Sequence, residues 1–294
     1  MRIGWIGLGR MGTPMCTNLV TKGFEVIVQN RSQEKVQAMA TIGATVGRTF
    51  AEMAAIVDSI HTCLPDAHSL TDVMFCPDGI LAGAKPGLVI VDHSTINPDQ
   101  ARALAAAALE RGASFIDAPV SGAGAVAERG ELTIMAGGDQ AAFDVVLPAL
   151  KAMGKTVRCM GPSGSGSLTK IINGLIMSTT LAVSFEGLAL AAKTGVDMQA
   201  LVEVIRTSSG NSRAWERNAP RVISGEYGND GAVRLLTKDT DLAHDVAEAV
   251  GVTLPILEAA RARWHQALDM GIGEIDISAG VKVLERELGI SLIR

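Results

Sequence analysis

The first thirty residues restrict the fold more than any other feature of the chain. "RIGWIG" at 2–7 is a short apolar run with strand character that passes directly into Gly7, Gly9 and Gly12, filling G-x-G-x-x-G. A helix is predicted from Met11 to Lys22, ended by Gly23, and "FEVIVQN" supplies a second strand. Strand, glycine turn, helix, strand is the context in which this spacing has a mechanism. The first glycine makes the turn, the second lets a pyrophosphate approach the backbone, and the third allows close packing, with the helix N-terminus facing the phosphates. The turn residues Gly7, Leu8, Gly9, Arg10, Met11 and Gly12 are therefore expected to bind a dinucleotide.

Folds of this kind that bind NAD usually carry an Asp or Glu at the end of the second strand, accepting hydrogen bonds from the ribose 2′-OH. This chain has Gln29, Asn30, Arg31 and Ser32 there. A guanidinium in place of a carboxylate suits a 2′-phosphate through charge-assisted hydrogen bonds. NADP is the expected cofactor and NAD the alternative, with Asn30, Arg31 and Ser32 as its contacts. Taken alone, Arg31 also fits a solvated loop cation.

Further apolar runs alternate with helical segments in the manner of a doubly wound parallel sheet: "SIHTCLP" at 59–65, "LVIVDHST" at 88–95 and "SFIDAPV" at 114–120, with "ELTIMAGG" near 131–138 and "TVRCMG" near 156–161 adding two more. Ligands of such sheets lie beyond the carboxyl ends of the strands, where Leu64, Pro65, Ser94, Thr95, Ser121 and Gly122 fall. Strand signals stop near Gly161. Segments 166–194, 197–207, 237–250, 254–270 and 276–288 then read as helices. The expected organisation is α/β, a Rossmann-like doubly wound sheet over 1–162 followed by an all-α domain over 163–294, joined directly and sharing a cleft.

Composition narrows the function. A chain of 294 residues with 48% hydrophobic and 19% charged residues reads as globular, and a net charge of -5 with interspersed signs offers no basic patch for nucleic acid or a membrane surface. Six Phe, three Trp and one Tyr leave little for base stacking. Cys16, Cys63, Cys76 and Cys159 form no metal spacing and read as reduced core residues of a cytoplasmic protein. No metal site is expected, and His61, His68, His93, His244 and His265 read as core or surface residues. The uncharged run 171–185 contains Asn173, Ser178, Thr179 and Thr180 and reads as too short and too polar to span a bilayer.

"GPSGSGSLTKIINGLIM" at 161–177 places one cation, Lys170, at the entry to that uncharged run. Burying an ammonium is costly unless something uses it. The residues alone leave two readings, a lysine whose stem is buried and whose amine reaches solvent, or a group that serves chemistry. Asn173 lies one turn along on the same face.

These motifs together resemble the β-hydroxyacid dehydrogenase family, which includes 3-hydroxyisobutyrate dehydrogenase and tartronate semialdehyde reductase and is related to 6-phosphogluconate dehydrogenase. The resemblance runs through "IGWIGLGRMGTPMCTNLVTKGFEVIVQNRS", "DHSTINP", "DAPVSGAGAVAERGELTIMAGG", "GSGSLTKIINGLI", "LLTKDTDLA" and "GEIDISA", nearly the whole chain. It implies an oxidoreductase moving a hydride between NADP(H) and a small β-hydroxy acid or aldehyde acid, in a homodimer or homotetramer. It implies Lys170 as general acid and base, Asn173 as an orienting group, and Ser121, Gly122 and Ala123 as the substrate carboxylate site, a preorganised anion loop. Thr95 matches a cofactor-contacting threonine, and Lys238 with Asp239 matches a Lys-Asp pair near the nicotinamide. Two positions depart from the family pattern: Gly174 follows Asn173 where an amide is usual, and Ala123 stands where a second glycine is usual. An imine reductase-like enzyme, or a nucleotide-binding protein without turnover, is the alternative; imine reductases generally replace the lysine that this chain keeps, and some relatives that keep the fold have lost it.

Overall fold

The computed structural model describes residues 1–229 and 231–293. The chain divides into two compact units, Met1–Lys170 and Ile171–Arg294. The place where strand signals stop, near residue 162, precedes the long helix within which the division falls.

The first unit is built on six parallel strands: β1 (Arg2–Ile6), β2 (Glu25–Gln29), β3 (Thr45–Val46), β4 (Ser59–Thr62), β5 (Val89–Asp92) and β6 (Ser114–Asp117), in the order β3-β2-β1-β4-β5-β6. Helices α1 (Gly12–Thr21), α2 (Gln33–Thr41), α3 (Phe50–Ile56), α4 (Ala67–Phe75), the single turn α5 (Ile80–Gly83) and α6 (Pro98–Leu109) make the crossovers. Side chains on a strand alternate between faces, so a strand apolar on both sides belongs in a sheet covered on both. Ile3, Trp5, Val28, Val91 and Ile116 pack on one face with Met15, Leu19 and Phe143. Ile6, Ile27, Ile60, Ile90 and Phe115 pack on the other with Met53, Leu70 and Leu104.

The remaining strands do not extend this sheet, as the reading of the sequence had them do. β7 (Val120–Ser121), β8 (Leu132–Ala136) and β9 (Gly154–Cys159) form a separate three-stranded sheet in which β7 and β8 are antiparallel. Pro119, which has no N–H, interrupts the apolar run 114–120 and lets the chain change sheets. A β-bridge between Asp117 and Gly137 links the two sheets, and helices α7 (Gly124–Glu128) and α8 (Gln140–Met153) complete the unit. The short edge strand β3 carried no sequence signal.

The second unit is helical. It contains most of α9 (Ser165–Thr194), then α10 (Met198–Arg206), α11 (Arg213–Ser224), α12 (Val233–Ala249), α13 (Pro255–Asp269), a 3-10 turn (Ile277–Val281) and α14 (Lys282–Leu288). Leu181, Phe185, Leu188, Trp215, Val222 and Trp264 form its core. α11 is not among the helices expected from the sequence, because its interior Pro220 argues against one. A Ser212 cap and a buried face of Trp215, Ala219, Val222 and Ile223 outweigh that one missing hydrogen bond. α9 is also longer than its uncharged run, with a mean hydropathy of 1.6 over an 18-residue window, so by length and composition it could cross a bilayer. The same composition serves a core helix, and its Leu181, Phe185 and Leu188 are buried within the unit. Among the cysteines only Cys16 is a buried core residue; Cys63, Cys76 and Cys159 are half-buried, and all four are free thiols.

Candidate active site

The glycine turn after β1 separates three tasks. Gly7 has φ +100, a left-handed conformation, and a Cβ on it would lie 2.3 Å from the Cys63 carbonyl oxygen. A Cβ on Gly12 would lie 2.0 Å from the Gly7 carbonyl oxygen, so the first turn of α1 sits directly on the loop. At Gly9 a Cβ would meet nothing within 4 Å. Protein fills the space around the outer two glycines and leaves the middle one facing open space, the cradle a pyrophosphate requires. The turn is held from β2: the Leu8 N–H donates to Asn30 Oδ1 at 3.0 Å, while Asn30 Nδ2 donates to the Ser32 carbonyl at 3.4 Å. Arg10 and Arg31 are both exposed, leaving two guanidiniums available beside the turn.

The loops after β4 and β5 are tied together by a buried carboxylate. Asp92 Oδ1 accepts from Thr62 Oγ1 and from Ser94 Oγ, each at 2.7 Å, and Ser94 Oγ in turn accepts from the Leu64 N–H at 3.0 Å. Burial pushes the Asp92 carboxyl up to about 6, against the two hydroxyl donors that favour its ionised form, and the nearby Asp117 charge adds to the rise. Leu64, Pro65 and Thr95 thus stand on loops whose spacing is set beneath them. The Asp92 carbonyl also accepts from the Ala118 N–H at 2.6 Å, which brings in the segment leading to β7.

That segment carries the candidate anion loop. Ser121 ends β7, opposite Thr133 of β8; Gly122 is exposed with φ +140, and Ala123 caps the short helix α7. At the foot of the segment, Asp117 is buried and its two oxygens serve the first turn of α9: Oδ1 accepts from the Gly164 N–H at 2.8 Å and Oδ2 from the Ser167 N–H at 2.7 Å. Burial raises the Asp117 pKa, opposed by these N–H donors. Lys170 lies one turn further along α9 and is partly buried.

Beyond Lys170 the helix exposes Asn173 and buries Gly174. A Cβ on Gly174 would meet Asp239 Cβ at 3.6 Å and Asp239 Oδ2 at 3.9 Å, so the bare face of the glycine is walled by a carboxylate from α12. Lys238 Nζ lies 3.6 Å from Asp239 Oδ1. Among the described residues no group of three His, Cys, Asp or Glu is placed to hold a metal.

No motif in the sequence gives Asp92 or Asp117 a role. A signal was present: each acid ends an apolar run, "VIVD" and "SFID", where a carboxylate must be buried and therefore partnered.

A parallel sheet in this strand order, with a glycine turn whose middle position is open, defines the first unit as a dinucleotide-binding domain. Residues 2–161 match the family model for the NAD binding domain of 6-phosphogluconate dehydrogenase, and residues 164–284 match that for the NAD-binding domain of NADP-dependent 3-hydroxyisobutyrate dehydrogenase. The chain belongs to the β-hydroxyacid dehydrogenase family and is an NAD(P)-dependent hydroxyacid dehydrogenase. It is 36% identical to 2-(hydroxymethyl)glutarate dehydrogenase of Eubacterium barkeri, over 99% of this chain and 97% of the relative. It is 33% identical to the NAD-dependent L-serine dehydrogenase of Pseudomonas aeruginosa, over 98% and 99%. The crystal structure of 3-hydroxyisobutyrate dehydrogenase from Salmonella typhimurium superposes with a TM-score of 0.86 at 31% identity, covering 96% of this chain and 99% of that one.

Proposed function

We propose that the enzyme interconverts a small β-hydroxy acid and its aldehyde acid with NADP(H), using Lys170 as the acid/base group. The observation that carries this reading is the mounting of Lys170 on a helix whose first turn is fastened to the same strand end, Asp117, that continues into the Ser121–Ala123 loop. A carboxylate held by Ser121 and the backbone N–H groups of Gly122 and Ala123 would bring the neighbouring carbinol towards the lysine. The nicotinamide, when bound, supplies the hydride acceptor or donor. As the carbinol C–O bond becomes a carbonyl, the Lys170 amine takes the hydroxyl proton; in the reverse direction its ammonium returns that proton to the carbonyl oxygen. Asn173 orients the reacting oxygen, and Thr95, Leu64, Pro65 and Lys238 line the cofactor.

The names of the relatives support a substrate class. 2-(Hydroxymethyl)glutarate, L-serine and 3-hydroxyisobutyrate share a hydroxymethyl group on the carbon next to a carboxylate. Arg31 and the missing acid at the end of β2 support NADP, as does the second family model; one relative is named NAD-dependent, so the preference has to be measured. Four free thiols support a reducing, cytoplasmic compartment. Exposed Ile176, Val183 and Leu190, seven residues apart along α9, support a homo-oligomer.

The test is oxidation of those three hydroxy acids with NADP+, and NADPH oxidation against succinic, methylmalonic and tartronate semialdehydes, by the native protein and by Lys170→Ala. The native protein is expected to turn over at least one of them. The variant should bind NADPH normally and lose about 10²- to 10⁴-fold in kcat. Near-native kcat in the variant would remove Lys170 from the mechanism.

A further inference from the structure

A lysine that shuttles a proton to a bound hydroxyl must be held at a fixed distance from whatever binds the rest of the substrate. In this chain that distance is set within a few residues. Asp117 ends β6; three residues later its main chain becomes β7 and the Ser121 loop, and its carboxylate reaches across to the first turn of α9. Backbone contacts reinforce the arrangement. The Asp117 N–H donates to the Gly137 carbonyl at 3.0 Å, and the Gly137 N–H donates to the Asp117 carbonyl at 2.7 Å. A Cβ on Gly166 would lie 2.4 Å from both the Asp117 and the Met135 carbonyl oxygens, and one on Gly137 would lie 2.6 Å from the Gly166 nitrogen. The helix start therefore rests on the strand ends backbone to backbone, and Lys170 follows Ser167 by three residues.

We propose that Asp117 is the positioning residue for Lys170: its carboxylate, capping α9 through Gly164 and Ser167, fixes the lysine relative to the carboxylate-binding loop that Asp117 itself begins. The proposal rests on the acid/base reading of Lys170. An N-terminal cap could be supplied by a short exposed Ser or Asp next to the helix. Here a buried acid 47 residues away does it, with both oxygens engaged. Such a distant cap couples two parts of the chain as well as satisfying two N–H groups.

Asp117→Asn keeps the shape but replaces one acceptor with an amide donor facing an N–H. The full-length variant is expected to keep NADPH affinity, measured by fluorescence titration, within about twofold. Its kcat, measured well below the melting temperature, should fall about 10- to 100-fold, the size expected for misplacing a reacting group by an ångström, and KM for the hydroxy acid should change less than kcat. A second readout needs no turnover: acylation of Lys170 relative to Lys238, quantified by mass spectrometry across pH, should change at least threefold in the variant. If Asp117→Asn does not fold, Ser167→Pro removes one donor while leaving the carboxylate, at a first-turn position where proline is tolerated, and should give the same pattern. Unchanged kcat and unchanged Lys170 labelling in a folded variant would overturn the proposal, as would parallel loss of NADPH affinity and kcat. A failure of Lys170→Ala to lose turnover would instead remove the acid/base reading, and labelling would still report whether Asp117 sets the lysine.

Discussion

Trp5, His61 and His93 form a stack inside the first unit, with ring centroids 5.3–5.9 Å apart. His93 Nδ1 lies 2.8 Å from the Ala118 carbonyl oxygen, which can only accept, so that nitrogen carries a proton; His93 Nε2 then accepts from His61 Nδ1 at 3.0 Å. Both rings are thereby fixed as neutral tautomers, and His61 Nε2 is left buried without a partner. Burial holds His93 down at about 4 and His61 well below its ordinary value, the His93 charge adding to the latter. A base depressed in the folded state contributes stability that is present above its unfolded pKa near 6.5 and is lost as pH falls towards the folded value. For His93 alone the loss reaches about 3 kcal/mol by pH 4. Asp92 has the opposite sign: its pKa is raised to about 6, so its contribution is present below about 4 and lost as pH rises through 6. Urea unfolding between pH 7.5 and 4.5 should therefore show stability falling on acidification, more gently in His61→Gln and more steeply in Asp92→Asn. A flat profile in the native protein would contradict this assignment of the rings.

At the scale of the element, α9 was legible in the sequence almost to the residue, because its apolar stretch, glycine-rich entry and terminal Gly195 are all local signals. Its fastening was not legible, because Asp117 and Ser167 are joined only by the fold. The same division holds elsewhere. α1, Gly12–Thr21, lies within the stretch Met11 to Lys22 that the glycine turn and Gly23 bound, whereas in α11 burial of Trp215 and Val222 outweighs the local signal from Pro220. Gly174 stands where the family usually has an amide, and two causes would explain a glycine there: close helix packing, or space beside the substrate for a group bulkier or less polar. A Cβ there meets nothing nearer than 3.6 Å, so packing does not require glycine. The neighbour it does meet is the Asp239 carboxylate, which favours room over loss of polarity. Gly174→Ala should fold and gain about 0.5–1 kcal/mol in chemical denaturation, from the helix propensity of alanine alone. A destabilised variant would restore the packing explanation.

For the whole molecule, the alternation of strands and helices and the change to helices near residue 162 are written in apolar patterning; the strand order, the short β3 and the split into two sheets are not, since they depend on pairing partners far apart in sequence. A dinucleotide bound at the glycine turn should be visible as stability. A ligand at a hundred times its Kd stabilises the folded chain by about 2.7 kcal/mol. If Arg31 meets a 2′-phosphate, NADPH should raise the melting temperature more than NADH at equal concentration, and Arg31→Ala should erase that difference while leaving the NADH shift in place. Equal shifts in the native protein would count against NADP preference. In the glycine turn, Gly7 and Gly12 are demanded by the protein's own atoms and would be kept by any chain that folds this way. Gly9 has neither a left-handed φ nor a neighbour within reach, so a lineage that had given up its cofactor would be free to place a side chain there. The protein's own atoms leave room for a side chain at Gly9, and a pyrophosphate lying against the backbone would not.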